Sequence, residues 1–87
     1  MRPLIRLGDP TSHGGIVASA SPNCEVMGKA VARLGDRVVC PLSGHAVGVI
    51  IEGDPDWLID GLPVALEGHL TSCGASLIAT LANAGRG

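Results

Sequence analysis

Three short stretches of this chain can be written one above another, and no other feature limits its fold as strongly. They are Gly8-Asp9-Pro10-Thr11-Ser12-His13, Gly35-Asp36-Arg37-Val38-Val39-Cys40 and Gly68-His69-Leu70-Thr71-Ser72-Cys73. Each opens on a glycine and ends five residues later on a side chain suited to transition metals. The residues before them also align: Arg2-Pro3-Leu4-Ile5-Arg6-Leu7 with Lys29-Ala30-Val31-Ala32-Arg33-Leu34, and both with Leu62-Pro63-Val64-Ala65-Leu66-Glu67. The leading glycines stand 27 and 33 residues apart, so the copies differ in length but share one order of residue types. A repeat of this kind constrains the whole architecture. The reading is three equivalent loops that bring three ligands to one point.

A second tier of repetition supports it. Ala20-Ser21-Pro22-Asn23-Cys24-Glu25-Val26-Met27-Gly28 aligns with Gly53-Asp54-Pro55-Asp56-Trp57-Leu58-Ile59-Asp60-Gly61. Val26-Met27-Gly28-Lys29 and Ile59-Asp60-Gly61-Leu62 then read as hairpin turns, with glycine free to take positive φ. Thirteen glycines and six prolines interrupt the chain so often that a long helix has no place before Gly68. Between the breaks lie short runs rich in β-branched residues: 16–18, 30–34, 46–51, 57–59 and 63–66. The run 75–82 reads as a last strand or a short helix, with a strand up to about Thr80 favoured, and 81–87 reads as a flexible tail. The expected fold is one all-β domain over residues 1–87, built from three units of strand, tight turn, strand and ligand loop.

So short a chain has little core with which to offset its ordering entropy, roughly 1.5 kcal/mol per residue. Its apolar residues make up 46% of the sequence but include one Trp and no Phe or Tyr. A staple is expected. Three cysteines, an odd number at irregular spacing, do not suit a disulfide framework, and metal ligation is the better use for two of them. Cys24 aligns with Trp57 and is assigned to core packing. A net charge of −2 and a single aromatic residue argue against a nucleic-acid surface. No apolar run is long enough to span a bilayer, and no secretory signal is visible.

Cys40 and His45 flank Pro41-Leu42-Ser43-Gly44, a loop that lets both side chains turn to one ion. With His13 and Cys73, which share the repeat position of Cys40, they make a two-histidine, two-cysteine set suited to one closed, tetrahedral, structural zinc ion. His69 is the rival fourth ligand, although it stands where the other copies have Asp9 and Asp36, whose short carboxylates suit turns that bond their own backbone. Ser12-His13 and Ser72-Cys73 are neighbours in sequence, which does not make a nucleophile and base. Asp36, His45 and Cys73 can be drawn as a hydrolytic triad, but the thiols are better used on the metal, so the chain is not expected to be an enzyme. A zinc-stabilised β-domain that binds some other protein partner is the alternative function.

The same residues resemble the PAAR-repeat proteins, named for a Pro-Ala-Ala-Arg motif. Here it stands as Pro3-Leu4-Ile5-Arg6, Ala30-Val31-Ala32-Arg33 and Pro63-Val64-Ala65-Leu66. Gly8-Asp9-Pro10-Thr11-Ser12-His13-Gly14-Gly15, Cys40-Pro41, Gly44-His45 and Thr71-Ser72-Cys73-Gly74-Ala75 carry the rest of the likeness. It implies a small conical β-structure with pseudo-threefold symmetry and zinc near its point. It further implies a monomer seated on the trimeric, VgrG-type spike of a bacterial type VI secretion system. Such a tip waits in the cytoplasm, is then secreted to the exterior or a target cell, touches the target membrane transiently and in some members carries effectors. A three-histidine, one-cysteine zinc set also occurs in the family, which keeps His69 in contention with Cys40.

Overall fold

The computed structural model describes residues 2–40, 47–80 and 85–86. Among these there is no helix, and the strands are short: β1 (Arg2–Pro3), β2 (Ile16–Val17), β3 (Glu25–Val26), β4 (Lys29–Ala30), β5 (Arg37–Val39), β6 (Val47–Val49), β7 (Asp54–Ile59), β8 (Leu62–Val64) and β9 (Gly85–Arg86). The expected all-β class is what is found.

The three aligned segments pair with one another in a closed cycle. Ile5 N–H donates to Ala65 O (2.9 Å), Ala65 N–H to Ala32 O (3.0 Å) and Ala32 N–H to Ile5 O (2.9 Å). A second cycle runs two residues further on. Leu7 donates to Ala30, Leu34 to Pro63 and Glu67 to Pro3, each at 2.8 Å. These are equivalent atoms of the three copies, so the repeat in sequence is a pseudo-threefold axis in space. Pro3 and Pro63 are asked only for their carbonyls in this cycle, the one backbone group a proline can offer. Closing the ring also leaves no open strand edge there.

Each segment then turns at its glycine, with φ of 87° at Gly8, 90° at Gly35 and 88° at Gly68. The left-handed conformation costs other residues roughly 1–2 kcal/mol, which accounts for glycine in every copy. Inside each turn a side chain bonds the backbone three residues earlier. Asp9 Oδ2 accepts from Arg6 N–H (2.8 Å), Asp36 Oδ2 from Arg33 N–H (2.7 Å) and His69 Nδ1 from Leu66 N–H (2.9 Å).

The hairpins form as the second tier implied. β3 pairs with β4 through Val26↔Lys29, and β7 with β8 through Ile59↔Leu62. Their two-residue turns have positive φ at both positions, 53° and 82° at Met27-Gly28 and 56° and 79° at Asp60-Gly61, the conformation whose twist suits an antiparallel pair. The third equivalent pair is β1 with β9, in the same register, Arg2↔Arg86 and Pro3↔Gly85. Part of the 81–87 stretch read above as a tail thus occupies a regular place in the ladder.

Two buried clusters fill the axis. Leu4, Val31 and Val64, one from each unit, join Leu66 in the first, with Cys24, Val26, Trp57 and Ile59 of the hairpin segments packed against it. Cys24 is therefore a packing residue, as its alignment with Trp57 implies. Ile5, Ala32 and Ala65 join Val17, Ile50, Leu77 and Val38 in the second. Where the second unit has Val38, the others have the buried isosteres Thr11 and Thr71, whose hydroxyls bond local backbone at Gly15 N–H (3.1 Å) and Ala75 O (3.2 Å).

Candidate metal centre

The ligand loops rise from the second cluster. The strand order β2-β5-β6 places Val17 opposite Val38, and the bridges Ile50↔Thr71 and Thr11↔Leu77 repeat that pairing around the axis. Just beyond these residues the first and third copies make the same turn. Gly14 N–H donates to Thr11 O and Gly74 N–H to Thr71 O, both at 3.0 Å, with φ of 81° and 86° at the two glycines. His13 and Cys73 occupy equivalent places in those turns, and Cys40 follows β5 directly.

The geometry brings these three side chains together. Their ligand atoms all lie within 4.8 Å of one another. Cys40 Sγ is 3.6 Å from His13 Nδ1, and Cys73 Sγ is 4.0 Å from it. Zinc–sulfur and zinc–nitrogen bonds of about 2.3 and 2.0–2.1 Å at tetrahedral angles separate ligand atoms by roughly 3.5–3.8 Å. The Cys40–His13 spacing falls in that range, the Cys73–His13 spacing lies just outside it, and one imidazole with two thiols is donor chemistry zinc takes. The fit is good.

Surroundings favour the ligand forms. Cys40 is buried at 2% exposure while Cys73 is partly open to solvent. The Thr71 hydroxyl, 3.1 Å from Cys73 Sγ, holds that thiol below its ordinary range, with backbone bonding at Ala75 and the Cys40 thiol acting in the same direction. Small residues beneath let the loops close. A β-carbon on Gly15 would sit 1.8 Å from Val39 O, and one on Gly48 would sit 2.9 Å from Ser72 Oγ and 3.8 Å from Cys73 Sγ. Thr71 and Gly15 were not singled out from the sequence, although the Thr-Ser pair preceding both His13 and Cys73 was a visible sign. A glycine inside the 46–51 run is itself the mark of a bulge or close approach, and Gly48 makes one.

The other two candidates stand differently. His69 is a buried turn residue whose Nδ1 accepts the Leu66 N–H, the place its aspartate counterparts hold, and it is not in the three-residue group. His45 lies outside the described residues. One difference between units bears on it. Gly8 donates to Val17 and Gly68 to Leu77, nine residues on in both, whereas Gly35 donates to Ile50, fifteen residues on. The extra length of the second unit falls after Cys40, in the stretch that contains His45.

Comparison with known families agrees with this architecture. The PAAR motif family model matches residues 7–79, a span that holds all three turns and the whole candidate group. No curated protein matches the chain. Three copies of one turn, a cyclic backbone ladder and a match over most of the length lead to one conclusion: the chain belongs to the PAAR-motif family of type VI secretion spike-tip proteins.

Proposed function

We propose that this chain caps the trimeric VgrG-type spike of a type VI secretion system and sharpens its end for passage through a target envelope. The observation that carries this is the closed pseudo-threefold ladder. A single chain with three near-equivalent faces can meet a threefold blunt end with all three at once, and as a monomer it supplies one point. Exposed Leu58, Leu62 and Met27 on the hairpins offer apolar surface for such a contact. Export with the spike, transient contact with the target membrane and carriage of effectors belong to the same reading.

One zinc ion held by His13, Cys40, Cys73 and His45 completes the tip. Bound there it would supply structural cross-linking, and a set of four protein ligands is that of a closed structural site. The chain's own residues prepare the site: Thr71 favours the Cys73 thiolate, and Gly15 and Gly48 admit the loops. The role is mechanical, with no reaction catalysed.

Mixing the purified chain with the trimeric spike protein and sizing the product tests the proposal. One chain per trimer at micromolar concentration is expected. No complex, or three chains per trimer, would overturn it.

A further inference from the structure

Two of the three clustered ligands are cysteines from different units, and the backbone holds their loops in register. Ser72 N–H donates to Val49 O (2.8 Å), Val49 N–H donates to Ser72 Oγ (3.0 Å) and Ile50 bridges Thr71. The two sulfurs lie within 4.8 Å, both beside His13 Nδ1. A disulfide needs about 2.05 Å between sulfurs, and a change of staggered side-chain rotamer can supply the approach. Their settings differ usefully. Cys73 is partly exposed, with the Thr71 hydroxyl at its sulfur, while Cys40 is buried. Cys24, the remaining cysteine, packs against the other core cluster.

We propose that Cys40 and Cys73 are a redox-exchangeable pair: metal ligands in a reducing compartment, and an intramolecular disulfide once the chain meets an oxidising disulfide pool. The step balances. The Cys73 thiolate attacks one sulfur of a small-molecule disulfide, forming a mixed disulfide and releasing one thiolate. The Cys40 thiolate then attacks Cys73 Sγ, forming the Cys40–Cys73 bond and releasing the second. Two electrons pass from the protein sulfurs to the small disulfide, and a bound divalent ion leaves with charge unchanged. The second and third units thus stay joined at the apex in either state. The inference rests on the His13–Cys40–Cys73 group and is independent of the spike as partner.

The test treats the full-length chain, zinc-loaded and chelator-stripped in parallel, with oxidised glutathione under anaerobic conditions. Thiol titration, a chromogenic zinc indicator and peptide mapping follow the outcome. Both samples should lose two of their three thiols, the loaded one releasing its zinc in step, with Cys40 linked to Cys73 and Cys24 free. The Cys24→Ser variant should give the same linkage, and Cys40→Ser should stop at a glutathione adduct on Cys73. Persistent thiols, a lasting adduct on the parent chain, or a bridge to Cys24 or to a second chain would each overturn the proposal. A chain that binds no zinc would overturn the metal-exchange half of the proposal, and the metal assignment with it, even if the Cys40–Cys73 bond forms.

Discussion

Gly15 shows how far single residues decide this fold. A β-carbon there would meet Val39 O at 1.8 Å, a backbone atom that cannot step aside, whereas at Gly48 the nearest atom is a side-chain hydroxyl. The third equivalent position is already Ala75, fully buried. Gly15→Ala should therefore destabilise the chain by about 3 kcal/mol, at the upper end of overpacking costs, and Gly48→Ala by less; urea unfolding of the two variants checks the order. Proline has an equally local logic. Arg37 N–H finds Ser19 Oγ (2.9 Å) and Leu70 N–H finds Glu52 Oε1 (2.7 Å). The third counterpart is Pro10, which has no N–H, and Ala79 stands where an acceptor is not needed.

Asp60 supplies the pH dependence at this scale. The hydroxyl of Ser21, then the Asn23 amide and the Arg33 guanidinium, hold its carboxyl below the ordinary carboxylate range. A depressed folded-state pKa means stability present above the unfolded value and lost as pH falls through the folded one. Thermal unfolding of the parent chain should therefore weaken on acidification below the ordinary carboxylate range, and Asp60→Asn should flatten part of that loss. An unchanged acid profile in the variant would remove Asp60 from the explanation.

Among the elements, the β1–β9 pair has the register of the two hairpins and differs only in lacking a turn between its strands. Joining residues 86 and 2 through a two-residue Asp-Gly turn, and opening the chain between Met27 and Gly28, should preserve the fold. Circular dichroism and thermal melting of that permutant check it; loss of cooperative unfolding would contradict the cyclic ladder. The hairpins were legible in the sequence because Met-Gly and Asp-Gly turns leave a local chemical mark. The Asp9 and Asp36 turns were legible for the same reason. Which segment pairs with which was not, since the cycle Ile5–Ala65–Ala32 joins residues far apart through backbone atoms that carry no sequence label. The β1–β9 pair escaped for a related reason: Gly85-Arg86 is too short to carry an alternating pattern.

For the whole molecule, the repeat position of His13, Cys40 and Cys73 was enough to place three side chains together. It works because threefold equivalence turns a sequence offset into a spatial coincidence. The proposal of His45 as a fourth ligand has no such warrant, for it belongs to the extra length of one unit and has no counterpart in the others. The molecule measures 33 × 24 × 21 Å, and much of its interior is small aliphatic side chains stacked in triplets. The proposed metal cross-link would tie together loops of all three units, and its binding energy would be folding energy.

Metal analysis of the purified chain and its variants tests this convergence most directly. One zinc per chain is expected, lost from His13→Ala, Cys40→Ala and Cys73→Ala and retained by Cys24→Ala and His69→Asp. Zinc well below one per chain in the parent, or full zinc in the His13→Ala variant, would contradict it.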